Sequence, residues 1–122
     1  MRIIIAGPRA IQDYATVWTG INAGLSALHI QHVTEVLSGM ALGVDQLGER
    51  WAHEHGVPVR QFPADWKTYG KRAGFVRNAA MAREAQAAIV IWDGFARGSG
   101  HMIQVAQDYR LALYVHRVPA GS

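Results

Sequence analysis

Twice in this 122-residue chain a short apolar run ends in a glycine-bearing turn that opens a helical pattern, and this junction constrains the fold more than any other feature. The first is the run Val33 to Leu37 followed by Ser38-Gly39-Met40-Ala41-Leu42-Gly43-Val44-Asp45. The second is Ala87 to Trp92 followed by Asp93-Gly94-Phe95-Ala96-Arg97-Gly98-Ser99-Gly100. A strand that ends in glycines before a helix N-terminus offers unpaired backbone N–H groups, and the helix dipole favours an anion there. Both turns are therefore expected to be phosphate-binding loops. At Gly98 a positive φ and a close backbone approach to phosphate are expected.

Around these junctions, buried runs alternate with helical periods. Ile3 to Ala6 is a β-branched run ending at Gly7, suited to a central strand covered on both faces. Tyr14, Val17, Trp18, Ile21, Leu25 and Leu28 recur at helical spacing and predict a helix over residues 12 to 29. Gly20 and Gly24 would weaken it by roughly 1 kcal/mol each unless something packs closely on them. A helix from Val44 to about His55 is expected to turn Val44, Leu47, Trp51 and Ala52 inward and to stop at Gly56. Val57 to Phe62 reads as a strand that Pro58 places early or at an edge. Pro63 to Gly74 has no clear period. A helix at Phe75 to Gln86, a strand at Ala88 to Trp92, a helix at Ser99 to Tyr109 and a strand at Leu111 to Val115 complete the pattern.

Five strands alternating with helices predict an α/β domain with a mostly parallel sheet and helices on both faces, since right-handed crossovers place them there. The whole of 1–122 is expected to be one domain, with no repeat or linker. In such sheets ligands lie beyond the carboxyl ends of the strands, where the strand order reverses. The Gly7-Pro8-Arg9 turn, both glycine loops and the segment after Phe62 all fall at carboxyl ends, so one shared pocket is expected.

Composition narrows the classes. The chain has no cysteine, hence no disulfide framework or thiolate metal site, which suits a reducing cytoplasm. No apolar run is long enough for a signal peptide or a spanning helix. A net charge of +3 favours anionic partners without specifying nucleic acid. His53 and His55 are two apart and face different directions, so no metal is expected.

The chemistry expected of the pocket is that of anion binding. Arg9 could hold a phosphate bidentately, although it could also simply pair with Asp13. Asp45 could accept a ribose hydroxyl or be an ordinary first-turn acid. Lys67, Lys71, Arg72 and Arg77 interleave with Trp66, Tyr69 and Phe75, which suits a nucleotide whose phosphates need charge and whose base can stack. The same residues could form a solvated basic loop, and without a wider basic stripe they do not point to DNA. His101 falls in the first turn of the last helix, where its imidazole could reach the ligand.

Taken together these motifs resemble the SLOG superfamily, the Rossmann-like fold of the Smf/DprA and Lonely Guy proteins, and within it the YspA-related group. The resemblance covers nearly the whole chain. It rests on Gly7-Pro8-Arg9, on Ser38 to Asp45, on Pro63-Ala64-Asp65-Trp66, Ala73-Gly74 and Arg77-Asn78 with Met81, and on Asp93-Gly94 followed by Gly98-Ser99-Gly100-His101-Met102-Ile103. Ala10 and Ser99 depart from the family's polar residue and threonine. In the Lonely Guy phosphoribohydrolases a helix glutamate needed for cleaving base from ribose phosphate follows the last glycine turn, and here that position is Met102. A thioether cannot serve as acid, base or carboxylate partner.

The resemblance thus implies a cytoplasmic nucleotide-binding module, a homodimer without cofactor, holding a nucleotide or an ADP-ribose-type (NAD-derived) ligand as a sensor or sequestering protein. The expected ligand-binding residues are Gly7, Pro8, Arg9, Ser38, Gly39, Met40, Gly43, Val44, Asp45, Trp66, Lys71, Arg77, Asn78, Asp93, Gly94, Gly98, Ser99, Gly100 and His101. The alternatives are a nucleotide-processing hydrolase using Asp93 or Asp45 with His101, and a DprA-like single-stranded DNA-binding factor.

Overall fold

In the computed structural model, which describes residues 1–119, each of the first four strands is followed by a helical crossover to another strand and the sheet is parallel throughout. The elements run β1 (Arg2–Ala6), α1 (Tyr14–Ala27), β2 (Glu35–Ser38), α2 (Val44–Glu54), β3 (Val59–Gln61), α3 (Trp66–Tyr69), a 3₁₀ turn (Gly70–Arg72), α4 (Ala73–Glu84), β4 (Ala87–Trp92), α5 (Arg97–Asp108) and β5 (Ala112–Arg117). The sheet order is β3-β2-β1-β4-β5. The β-branched run of β1 therefore lies at the centre, and β3 lies at an edge, shortened from the expected Val57–Phe62 to Val59–Gln61, with Pro58 immediately before it.

Alternate β1 side chains feed two cores. Ile3 and Ile5 join Val17, Ile21, Trp51 and Ile89 beneath α1 and α2, while Ile4 joins Leu37, Met81, Val90 and Met102 beneath α4 and α5. The chain passes from β1 towards β2 on one side and later returns to β4 on the other, so the order reverses between β1 and β4. A crevice at their carboxyl ends follows from that reversal.

Two expectations change. Trp18 is 47% exposed, although its spacing puts it in the α1 stripe. The face α1 buries is Val17, Gly20, Ile21 and Gly24. A Cβ on Gly20 would stand 2.9 Å from Ile91 Cγ1, and one on Gly24 2.9 Å from Ile89, so these glycines let the helix settle onto β4. At about 100° per residue, that contact rotates Trp18 out of the interface. The segment after Phe62 is the second change, for it is helical. Asp65 caps α3 by accepting the Thr68 N–H at 3.1 Å, and α3 passes through the 3₁₀ turn into α4. This early start brings Arg77 and Asn78 into the middle of α4.

Candidate functional site

At the carboxyl ends of β1 and β4 lies a cleft of about 310 Å³, bounded by the Gly7 turn, the α3–α4 segment and the start of α5. Gly7, Pro8, Arg9, Asp45, Trp66, Lys71, Arg77, Asn78, Gly98 and Ser99 line it. Ala6, Ala41, Gly74, Phe75, Met81, Ala96 and Met102 complete the wall. Arg9, Lys71 and Arg77 thus meet at one opening although they come from the turn after β1, the 3₁₀ turn and helix α4. Among the described residues no carboxylate lies within ion-pair distance of Arg9, and Asp13 instead accepts the Thr16 hydroxyl at 2.7 Å.

The Ser38 loop departs from expectation because three of its amides are already used and its glycines stand off the cleft. Met40 N–H donates to Ser38 Oγ at 3.1 Å, Ala41 N–H to Asp45 Oδ2 at 3.3 Å, and Val44 N–H to the Pro8 carbonyl at 3.3 Å. Ser38 Oγ in turn donates to Glu49 at 2.6 Å. Ser38, Gly39, Met40, Gly43 and Val44 do not line the cleft, and Val44 belongs to the core. The glycines here solve packing problems. Gly43 has φ +82° with the Pro8 carbonyl oxygen 2.5 Å from where a Cβ would be, and at Gly39 a Cβ would meet Arg77 and Asp45. The loop is a brace tying β2, the Gly7 turn and α4 together.

The second turn does leave amides free. Asp93 Oδ1 accepts the Phe95 and Ala96 N–H groups at 2.8 and 2.9 Å, which fixes the turn and holds the Asp93 carboxyl below its usual range. Asp93, Gly94 and Gly100 accordingly face away from the cleft; Gly94 takes φ +88° against Arg117, and Gly100 backs onto Trp92. Ala96 at the α5 N-cap has no side-chain acceptor, so the amides of Arg97 to Ser99 are left over by the helix geometry. Gly98 is helical, without the expected positive φ, and a Cβ there would meet nothing within 4 Å. The open side of that turn is the cleft.

Burial organises the polar wall. Arg77 Nη1 donates to the Gly39 carbonyl at 2.5 Å and Nε to Asn78 Oδ1 at 3.0 Å. Because Nε can only donate, it fixes the Asn78 amide, whose Nδ2 then faces His101 Nδ1 at 3.1 Å and the Gly98 carbonyl at 3.4 Å. His101 Nδ1 must therefore accept, which needs a neutral imidazole, and burial indeed lowers its pKa. His101 does not line the cleft; its ring stacks behind Phe75 at 4.0 Å and 22°. Asp45 is the one carboxylate in the wall among the described residues. Burial pushes its pKa up to about 6, against the Ala41 amide, the charge of Arg77 and the Gly7 amide. Burial also lowers the Arg77 pKa, with Asp45 opposing.

The wall can thus hold an anion on guanidinium, ammonium and α5 amides, and exposes aromatic faces at its rim. It does not assemble Asp93 with His101 at a reacting centre. Phe75 was omitted from the expected site although its place among the cations signalled it; the apolar wall of Ala6, Met81 and Met102 has no signal distinguishing it from ordinary core. Among the described residues, no helix is long and apolar enough to cross a membrane.

Comparison with known proteins bears on this geometry. The model of the YspA, cpYpsA-related SLOG family matches residues 1–69. The chain is 33% identical over 112 residues to the Gene 61 protein of Mycobacterium phage D29, covering 87% of this chain and 88% of that one. Its fold is similar to that of DNA processing protein A (DprA) from Streptococcus pneumoniae, with a TM-score of 0.66 at 14% identity over 93% of this chain, which spans 49% of the DprA chain. The part beyond residue 69 is integral to the same sheet, since β1 pairs with β2 on one side and β4 on the other.

Proposed function

Because the chain belongs to the YspA, cpYpsA-related SLOG family, and its cleft gathers cations, free amides and aromatics at the switch point of the sheet, we propose that it binds a nucleotide or ADP-ribose-type ligand and senses or sequesters it intact. The observation that carries this reading is the convergence of Arg9, Lys71 and Arg77 on the uncapped start of α5. Charge and helix amides together select a phosphate, and Trp66 and Phe75 at the rim suit the rest of a nucleotide. A cleft of about 310 Å³ sits at the small end of the range for ligand sites, as a compact ligand requires. Met102, 1% exposed, puts a thioether where a hydrolase of this fold would need a carboxylate.

The test is calorimetric titration of the protein with AMP, ADP, ADP-ribose and NAD, followed by chromatography of the recovered ligand. Binding of at least one of them, weakened roughly 10- to 150-fold in Arg9→Ala as expected for one charged hydrogen bond, supports the reading. No binding by any of them overturns it, and recovery of free base would replace it with the hydrolase reading.

A further inference from the structure

The cleft's polar groups and its aromatic rim divide the work of recognition, and the division predicts what the site ignores. Trp66 is 58% exposed and Phe75 48%, yet both line the cleft. A Cβ on Gly74 would lie 4.0 Å from Trp66 Cη2 and 3.7 Å from Arg77 Nη2, so the indole edge crosses the first turn of α4 beside the guanidinium. Phe75 is backed on one face by His101, which Asn78 holds in place. With one face supported and half its surface open, the Phe75 ring is a fixed platform.

Among the described residues, the Ser99 hydroxyl is the wall's one polar side-chain group with a donor and acceptors both uncommitted, and it sits in the first turn of α5 with the amides that take the phosphate, where a freely rotating hydroxyl selects no base. The Asn78 amide is used on both ends, by Arg77 Nε on its oxygen and by His101 and the Gly98 carbonyl on its nitrogen. Asp45 is held by the Ala41 and Gly7 amides. Arg9 and Lys71 only donate, and favour phosphate.

We propose that the site holds the base of its nucleotide by stacking on the Trp66–Phe75 rim with no hydrogen-bond reading of its edge, so that it takes nucleotides of all four bases. The proposal rests on the nucleotide reading above and adds a specificity to it. Stacking tolerates base identity because every base has a π face, and it contributes roughly 5- to 150-fold in affinity per base.

The experiment is calorimetry of the whole chain with ribose 5-phosphate and with the 5′-mono- and diphosphates of adenosine, guanosine, cytidine and uridine. At equal phosphate number the four bases are expected within about tenfold of one another, purines tightest, with ribose 5-phosphate weaker than AMP by about 5- to 150-fold. Trp66→Ala combined with Phe75→Ala should bring AMP down to the level of ribose 5-phosphate and leave ribose 5-phosphate itself unchanged. Both side chains are at the surface, so the variant folds; circular dichroism checks it. Equal binding of AMP and ribose 5-phosphate, a preference above about 100-fold for one base, or a double variant that binds AMP like the parent would overturn the stacking while leaving phosphate binding standing. If none of these compounds binds, the nucleotide reading fails and takes the proposal with it.

Discussion

Asp45→Asn isolates the one buried carboxylate of the cleft, and its effect can be worked out in sign and size. The Asp45 pKa rises from an ordinary 3.8 to about 6 in the fold, with burial as the largest cause. Between these values the folded state binds more protons than the unfolded one. Stability contributed by this group is then fully present below pH 3.8 and is lost as pH rises through about 6. A shift of about two units corresponds to roughly 3 kcal/mol, an order-of-magnitude figure, by which the ionised carboxylate destabilises the fold at pH 7.5 relative to a pH well below 3.8. Asparagine removes the titration but keeps an oxygen for the Ala41 amide.

The comparison must be a difference of differences, because Asp13, Glu54, Asp65 and Asp93 have lowered pKa values and act with the opposite sign at acid pH. Urea unfolding of parent and Asp45→Asn is measured from pH 4 to 7.5. The stability of the variant relative to the parent should improve by roughly 2 to 3 kcal/mol across that range, whatever constant cost the amide brings. A difference that stays flat with pH would show that Asp45 is ionised normally, and that the Arg77 charge and the loop amides outweigh its burial.

Gly98→Val should fold within about 1 kcal/mol of the parent, since its Cβ meets nothing within 4 Å, and should lose phosphate ligands because the branched chain stands over the α5 amides; unchanged titration would remove α5 from the site. Gly43→Ala combines φ +82° with a contact 2.5 Å from the Pro8 carbonyl oxygen, so its urea midpoint should fall by the equivalent of about 3 kcal/mol or more, and a midpoint like the parent's would contradict the brace. Incubation of the parent with nucleoside monophosphates should release no free base on chromatography. Met102→Glu, which forces a carboxylate into a 1% exposed position, should lower the thermal midpoint markedly; an unaffected midpoint would mean the wall there is more open than its burial implies.

The inner strands β1 and β4 were legible in the sequence because both sheet faces are covered there, which makes Ile3 to Ala6 and Ala87 to Trp92 unbroken apolar runs, whereas the edge strand β3, Val-Arg-Gln, has no such run. Helix α3 was not, because a four-residue helix is shorter than the period that would reveal it, and its evidence is one cap from Asp65. Trp18 was misplaced for a related reason. Hydrophobic spacing gives a helix its apolar stripe, but the closest contact of α1 is made by Gly20 and Gly24, which carry no hydrophobic signal at all.

The two glycine loops show where such reading ends for function. In sequence they are equivalent: apolar run, glycines, helix. What separates them is the fate of a few amides. In the first loop the acceptors for three amides are Ser38 within the turn, Asp45 in the first turn of α2, and the Pro8 carbonyl from another strand end. In the second, Asp93 takes the amides of Phe95 and Ala96 and then the acceptors stop, because Ala96 has nothing to offer at the cap. A glycine loop is open to an anion only if the fold leaves its N–H groups unpaired, and that depends on side chains and carbonyls the motif does not contain. The Asp45 carboxylate makes the point doubly, since it takes the Ala41 amide of the first loop, while its burial beside Arg77 sets the charge of the cleft that the second loop opens onto.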